Sequence, residues 1–206
     1  MTKEVLFATN NQGKVRELKE AFKKAGVDLN IKTNADLVNA PHVAETGRTF
    51  EDNAKLKAHA LANFSHLPTI ADDSGLMVDS LNGAPGVRSA RYAGEAHNDA
   101  HNNAKLLAEL GGIVPEKRTA HFNTTIVVSM PDNFDQDLVV TGTCDGEILA
   151  GPRGEDGFGY DPLFYVPEKD KTFAQMTTDE KNEISHRGRA IEKLLQKLPT
   201  WFKQFD

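Results

Sequence analysis

Ala71-Asp72-Asp73-Ser74-Gly75 places two adjacent carboxylates at the end of the apolar run Pro68-Thr69-Ile70-Ala71. Successive strand side chains point to opposite faces, so the two acids cannot meet water in the same way, and one is expected to enter a cleft. A carboxylate fixed at a strand end can ligate Mg²⁺ or act as a general base. The plainer reading is a hydrophilic turn completed by Ser74-Gly75. Thr9-Asn10-Asn11-Gln12-Gly13-Lys14 is a second candidate, because it joins an apolar run to a helix start. Free backbone N–H groups and about half a positive charge make such a helix start an anion site. Gly13 lets the backbone approach a phosphate, and Lys14 adds charge, although the spacing is not that of a Walker A loop. A lysine in a first helical turn opposes the helix dipole, so its position calls for a reason.

Three further groups could take part. Glu45, ahead of Gly47, is a candidate third acid for a metal shared with Asp72 or Asp73, or else a surface-loop glutamate. Gly157-Phe158-Gly159-Tyr160-Asp161-Pro162 sets two aromatics among glycines, where Phe158 or Tyr160 can stack on a base; a packed turn is the alternative. Lys181, Ser185, His186, Arg187 and Gly188 fall at the front of the last helix. Adjacent helical residues point about 100° apart, and a glycine weakens the helix there, which suggests a bend at a ligand rather than surface charge alone.

Short elements must carry these groups. Val5 to Ala8 reads as a buried strand, followed by a helix with Val15, Leu18, Phe22 and Ala25 at helical spacing and closed by Gly26; Val27, Leu29 and Ile31 alternate as a strand. Thr49 with Asp52 forms a capping-box variant ahead of a helix reaching about Phe64. Its apolar stripe holds Phe50, Asn53 or Ala54, Leu61 and Phe64, and Lys57 sits on it as well. That lysine either snorkels or reaches into a site. Two short strands are expected around Asp72-Asp73-Ser74-Gly75, then a helix from about Asn98 to Leu110 with Ala104, Leu107 and Leu110 inward. Ala120 to Val128 alternates as a strand and pairs with a return strand ending near Cys144. A last helix, capped by Thr177 with Glu180, carries Ile184, Ile191, Leu194, Leu195 and Leu198. Early alternation of strands and helices with a later hairpin predicts an α/β fold with a mixed sheet.

Composition sets bounds. The 206 residues suffice for one domain, or two lobes sharing a sheet, and neither a repeat nor a linker marks a boundary. A net charge of −6 argues against nucleic-acid and acidic-membrane binding, while local lysines or a divalent metal still allow a phosphorylated small substrate. The single cysteine, Cys144, excludes an intrachain disulfide and reads as a packed core residue of a protein in a reducing compartment. A strand that begins within four residues of the start leaves no signal peptide, and no apolar run is long enough to span a membrane. A cytoplasmic location is therefore expected.

Taken together these segments supply phosphate donors, acids for a metal and an aromatic platform. The sequence resembles the inosine triphosphate pyrophosphatase family, whose members remove non-canonical purine nucleoside triphosphates. The resemblance rests on Thr9-Asn10-Asn11-x-Gly13-Lys14, Glu45-x-Gly47-x-x-Phe50-x-x-Asn53-Ala54, Ala71-Asp72-Asp73-Ser74-Gly75-Leu76, Gly83-Ala84-Pro85-Gly86, Ser89-Ala90-Arg91-Tyr92, Gly157-Phe158-Gly159-Tyr160-Asp161-Pro162 and Ser185-His186-Arg187-Gly188, in family order. It implies an α/β fold with a long twisted mixed β-sheet flanked by helices, one domain over 1–206 in two lobes with a central nucleotide cleft, and a homodimer. Thr9, Asn10, Asn11, Gln12, Gly13 and Lys14 would hold the triphosphate, with Lys57 pointing to it. Glu45 and Asp73 would bind Mg²⁺, supported by Asp72; Asp73 would accept the proton of the attacking water, and Ser74 would contact substrate. Phe158, Gly159, Tyr160 and Asp161 would line the nucleoside pocket, Lys181 would reach phosphate or base, and His186 with Arg187 would read the 6-oxygen. The implied reaction turns ITP, dITP or XTP into monophosphate and pyrophosphate. A related pyrophosphatase for modified pyrimidines and a regulator that binds a triphosphate without turnover are the competing readings. Ser185-His186-Arg187-Gly188 speaks against the first, and the intact set of Lys14, Glu45, Asp72 and Asp73 against the second.

Overall fold

The computed structural model describes residues 3–94 and 98–205. Strands β1 (Lys3–Phe7), β2 (Leu29–Thr33) and β3 (Thr69–Val78) alternate with helices α1 (Gln12–Lys24) and α2 (Phe50–Ser65). Helix α3 (Asp99–Glu109) precedes β4 (Thr119–Ser129), β5 (Leu138–Ile148), β6 (Phe164–Val166) and β7 (Lys171–Thr172), and α4 (Thr178–Ile184) and α5 (His186–Phe202) close the chain. The strands form one sheet in the order β2-β1-β3-β4-β5-β6-β7. β1 is parallel to β2 and to β3, as helical crossovers require, whereas β6 is antiparallel to β5 and β7. The sheet is therefore mixed and open, as the sequence pattern predicts.

The chain forms two compact units, one comprising the stretch up to Asp73, Thr124–Gly142 and the chain from Ala190 onward, the other Ser74–Asn123 and Thr143–Arg189. The first unit has two apolar clusters, and strand alternation sorts residues between them. Val5, Phe7, Ile70, Ile126 and Val128 pack with Val15, Leu18 and Phe22 of α1 and with Ala190, Leu194 and Leu198 of α5. Leu6, Ala8, Ala71 and Val127 pack with Ala54, Ala58 and Leu61 of α2. The period of two thus sends Ile70 and Asp72 toward α1, and Ala71 and Asp73 toward α2. In the second unit Phe122, Phe164 and Phe173 form the aromatic centre, with Phe122 and Phe164 edge to face at 4.7 Å. Cys144 is buried there with its thiol pushed up to about 11 by burial, in keeping with a packing role. No helix among the described residues is long and apolar enough to cross a membrane.

Several local expectations are corrected. Asp72-Asp73-Ser74-Gly75 is not a turn between two strands; β3 runs through it for ten residues. Tertiary burial overrides the turn propensity: Asp73 and Gly75 are buried, and the Leu76 N–H donates to the buried Ser89 Oγ at 2.9 Å. The last helix is two helices. Ser185 takes an extended conformation (ψ 155°), ends α4, and accepts from the Gly188 N–H at 3.1 Å to start α5. Gly188 lies so close to the Asn182 carbonyl that a Cβ would collide with it, so this glycine serves the joint between helices. On α2, Phe64 is exposed, while Asn53 takes a buried stripe position; on α3, Leu106 and Asn102 turn inward instead of Ala104. β5 continues four residues past Cys144 to Ile148.

Candidate active site

In the first unit the site starts from the β1–α1 connection. Asn11 caps α1, its Oδ1 accepting from the N–H groups of Gly13 (2.9 Å) and Lys14 (3.2 Å), and Thr9 Oγ1 accepts from the Asn11 N–H (3.2 Å). Asn10, Asn11, Gln12 and Gly13 are exposed. Two amides expected to face an anion are therefore already engaged, and more of the positive charge falls to Lys14. Lys14 Nζ lies 2.7 Å from Asp72 Oδ2, which gives the reason for a lysine in a first helical turn. Asp72 is buried on the α1 side of β3, and Lys14 places a cation directly on its carboxylate.

On the other side of β3, α2 presents Asn53 and Lys57 one turn apart. Asn53 Nδ2 donates to Asp73 Oδ2 at 2.9 Å. Lys57 Nζ donates to Glu45 Oε1 and to the Asp72 carbonyl oxygen, each at 2.6 Å. Lys57 reaches inward and does not snorkel. Burial alone would depress its ammonium, but the charges of Asp72, Asp73 and Glu45 outweigh burial and leave it raised. Asp73 moves the opposite way for an acid. Burial pushes its carboxyl up from 3.8 to about 6 against the pull of Lys57 and the Asn53 bond, and Glu45 and Asp72 add to the rise. Ser74 follows, half-buried and by alternation on the face of Asp72.

The second unit holds the aromatic–glycine turn. Phe158 is 47% exposed, with Lys181 Nζ 4.9 Å and Arg187 Cζ 5.9 Å from its ring centroid. Tyr160 is buried, its hydroxyl donates to the Ser89 carbonyl at 2.8 Å, and burial raises its pKa. Of the two aromatics only Phe158 offers an accessible stacking face; Tyr160 braces the turn. Asp161 accepts from the Phe158 N–H (2.9 Å) and from Lys181 Nζ (2.5 Å). Gly157 passes so close to Asp161 that a Cβ would meet its carboxylate. Gly159 is held by α3: its N–H donates to Asp99 Oδ2 (2.7 Å) and its carbonyl accepts from Asn103 Nδ2 (2.9 Å). Gly159 therefore gives a ligand closeness rather than hydrogen bonds. The buried His186 ring stacks on Phe122 at 4.6 Å, which takes up one face of the imidazole, and its neighbour Arg187 is buried as well.

Sequence reasoning missed Asn53, Asp99 and Asn103 as individual site residues. For Asn53 the signal was an amide on an apolar stripe; nothing local marked Asp99 or Asn103. Among the described residues no three acidic, histidine or cysteine side chains converge as a group that could hold a metal ion.

An open mixed sheet that sets lysines against buried carboxylates defines the class: an α/β protein equipped for phosphate chemistry. The sequence model of the Ham1 family matches residues 5–197, and the chain belongs to that family. It is 75% identical over 199 residues to a Lactobacillus acidophilus protein named dITP/XTP pyrophosphatase, across 97% of this chain and 98% of that one. The structure of the Staphylococcus aureus Ham1 protein is similar with a TM-score of 0.87 and 46% identity, over 96% of this chain and 99% of that one. A HAM1 protein from Coxiella burnetii gives a TM-score of 0.90 at 39% identity, over 97% of this chain and 100% of that one.

Proposed function

We propose that this chain hydrolyses ITP, dITP and XTP, with Mg²⁺, to the nucleoside monophosphate and pyrophosphate. It is a nucleoside triphosphate pyrophosphatase, and its relatives' names support action on non-canonical nucleoside triphosphates. The observation that carries the reading is Asp73, a buried carboxyl held by the Asn53 amide, facing Lys57 and pushed up to about 6 by burial. A base is most effective with a pKa close to the working pH.

The donor set fits Mg²⁺. Glu45, Asp72 and Asp73 offer hard carboxylate oxygens, and the first two raise the third by crowding negative charge. Mg²⁺ keeps several waters and is held by one or two carboxylates plus phosphate oxygens, so a closed cage is not needed. Glu45 and Asp73 would hold it, with Asp72 supporting. When bound, the ion supplies charge neutralisation and a lowered pKa for a coordinated water. Asp73 takes a proton from the water whose oxygen forms the bond to the α-phosphorus, and the α–β anhydride bond breaks to leave pyrophosphate. Lys14 and Lys57 stabilise negative charge on the phosphates, and positioning does most of the rest. Phe158 stacks on the purine, with Lys181 at its edge. His186 and Arg187 present donors to the 6-keto oxygen, whereas the 6-amino group of adenine would meet another donor, a mismatch of about 1–3 kcal/mol. The 2-amino group of guanine must be refused by other contacts.

On the same reading the enzyme acts as a cytoplasmic homodimer on free nucleotides and not on nucleic acid or membranes. Equimolar pyrophosphate and inosine monophosphate from ITP, abolished by chelator, is the expected result. Inorganic phosphate with the diphosphate as first products would place attack at another phosphorus. Arg187→Ala should narrow the ITP over ATP preference mainly by slowing ITP; an unchanged ratio would move base reading elsewhere.

A further inference from the structure

Asn53 is fully buried on α2 among Ala54, Ala58 and Leu61, where an amide is costly unless both of its ends are bonded. Both are. Its Oδ1 accepts from the Gly47 N–H at 2.7 Å, and its Nδ2 donates to Asp73 Oδ2 at 2.9 Å. The orientation is forced, because a peptide N–H requires an acceptor and a carboxylate requires a donor, so a flipped amide would be mismatched at both ends. We propose that Asn53 is a positioning residue for Asp73, and that with Gly47 it locks the proton acceptor and the Glu45 loop into one working geometry.

Gly47 shows how closely the loop must approach. A Cβ there would lie 2.5 Å from Asp52 Cβ and 2.7 Å from Asn53 Oδ1, distances that ordinary side chains do not reach. One turn further along α2, Lys57 joins Glu45 to the Asp72 carbonyl in the same way. Helix α2 thus bridges loop and strand twice: Lys57 supplies charge, and Asn53, being neutral, supplies direction. Fixing Asp73 Oδ2 sets where the other carboxylate oxygen points. An error of about 1 Å in such aim can cost on the order of 10²-fold in rate.

The inference rests on Asp73 as the proton acceptor, and the test separates the two ideas. Asn53→Ala removes both bonds. Asn53→Asp keeps an acceptor for Gly47 and turns an acceptor toward Asp73. Steady-state kinetics with ITP and Mg²⁺, on full-length protein well below each melting temperature, should show kcat lowered about 10- to 100-fold with KM for ITP nearly unchanged. On an Asp73→Asn background, Asn53→Ala should cost nothing further in kcat. Asn53→Ser carries the same expectation and decides the matter if the alanine variant does not fold. Full kcat in the Asn53 variants alongside collapse in Asp73→Asn would make Asn53 a packing residue and leave the role of Asp73 standing. Near-normal turnover in Asp73→Asn would overturn both.

Discussion

Replacing Asp73 with asparagine should make the metal-free protein more stable while stopping catalysis. Burial raises the Asp73 carboxyl from 3.8 to about 6, a displacement of about two pH units. At 1.36 kcal/mol per unit that is about 3 kcal/mol, and with the residue 7% exposed little of it is lost to solvent screening. The sign follows from proton binding. A carboxyl whose folded pKa exceeds its unfolded value holds its proton better when folded, so stability falls as pH rises from 3.8 to about 6, and the penalty is full above that. Asparagine carries no such penalty. It removes one anion facing Lys57 and brings an amide N–H₂ that needs an acceptor, leaving a net gain of about 1–2 kcal/mol above pH 7. For a chain of this size that raises Tm by about 2–8 °C. Thermal unfolding followed by circular dichroism, in chelator and without nucleotide, should show the gain at pH 8 and little or none of it by pH 5, where about half of the carboxyl penalty has gone and the fixed losses offset the rest. A gain independent of pH, or none at pH 8, would refute the desolvated carboxylate. Turnover in the same variant should fall about 10²–10⁴-fold if general-base chemistry alone is lost.

Lys14→Ala removes the cation in direct contact with buried Asp72 and should cost about 3 kcal/mol in urea unfolding; adding Asp72→Asn should recover much of that, and no recovery would argue against a coupled pair. The single variant should also raise KM for ITP, most at low salt. Phe158→Ala should raise KM for purine triphosphates about 5- to 150-fold, from the loss of about 1–3 kcal/mol of stacking, with Tm almost unmoved because the ring is half-exposed; an unchanged KM would remove Phe158 from base binding. Glu180, paired with Lys171 and bonded to the Thr177 N–H, is held down at about 2. Its contribution is present above about 4.5 and lost as pH falls toward 2, so in pH-dependent unfolding the deficit of Glu180→Gln against wild type should narrow over that interval; a constant deficit would mean the charge is idle.

Much of the first unit was legible because strand alternation is local. Adjacent acids had to face opposite sides, and they do, one toward Lys14 and the other toward Asn53. Lys14 and Lys57 were visible as residues in the wrong local setting. Their partners were not visible, since Lys14 and Asp72 lie 58 positions apart and no periodicity reports so distant a contact. β3 could not be read as continuous because Asp-Asp-Ser-Gly has turn propensity, and only burial from other elements overrides it. Ser185 likewise looked like one more helical residue, because a side chain that ends one helix and caps the next needs no unusual composition. Phe158 and Tyr160 could not be told apart either; the difference between platform and brace lies in the Ser89 carbonyl that receives the Tyr160 hydroxyl.

The oddities of the first unit and the misread β3 share a location. A lysine at the positive end of a helix, a lysine and an amide on an apolar stripe, and turn residues inside a strand each break a local rule, and all of them meet at Asp72 and Asp73. Sequences are otherwise consistent from level to level, and local rules are expected to fail where function is served at a cost in stability. Here the cost has a visible sign: Asp73 is pushed up by burial and by two neighbouring acids, and a single lysine with one amide does not bring it back. A residue kept so against its own stability is maintained for what it does when substrate arrives. That is why loss of activity and gain of stability should come together in one substitution.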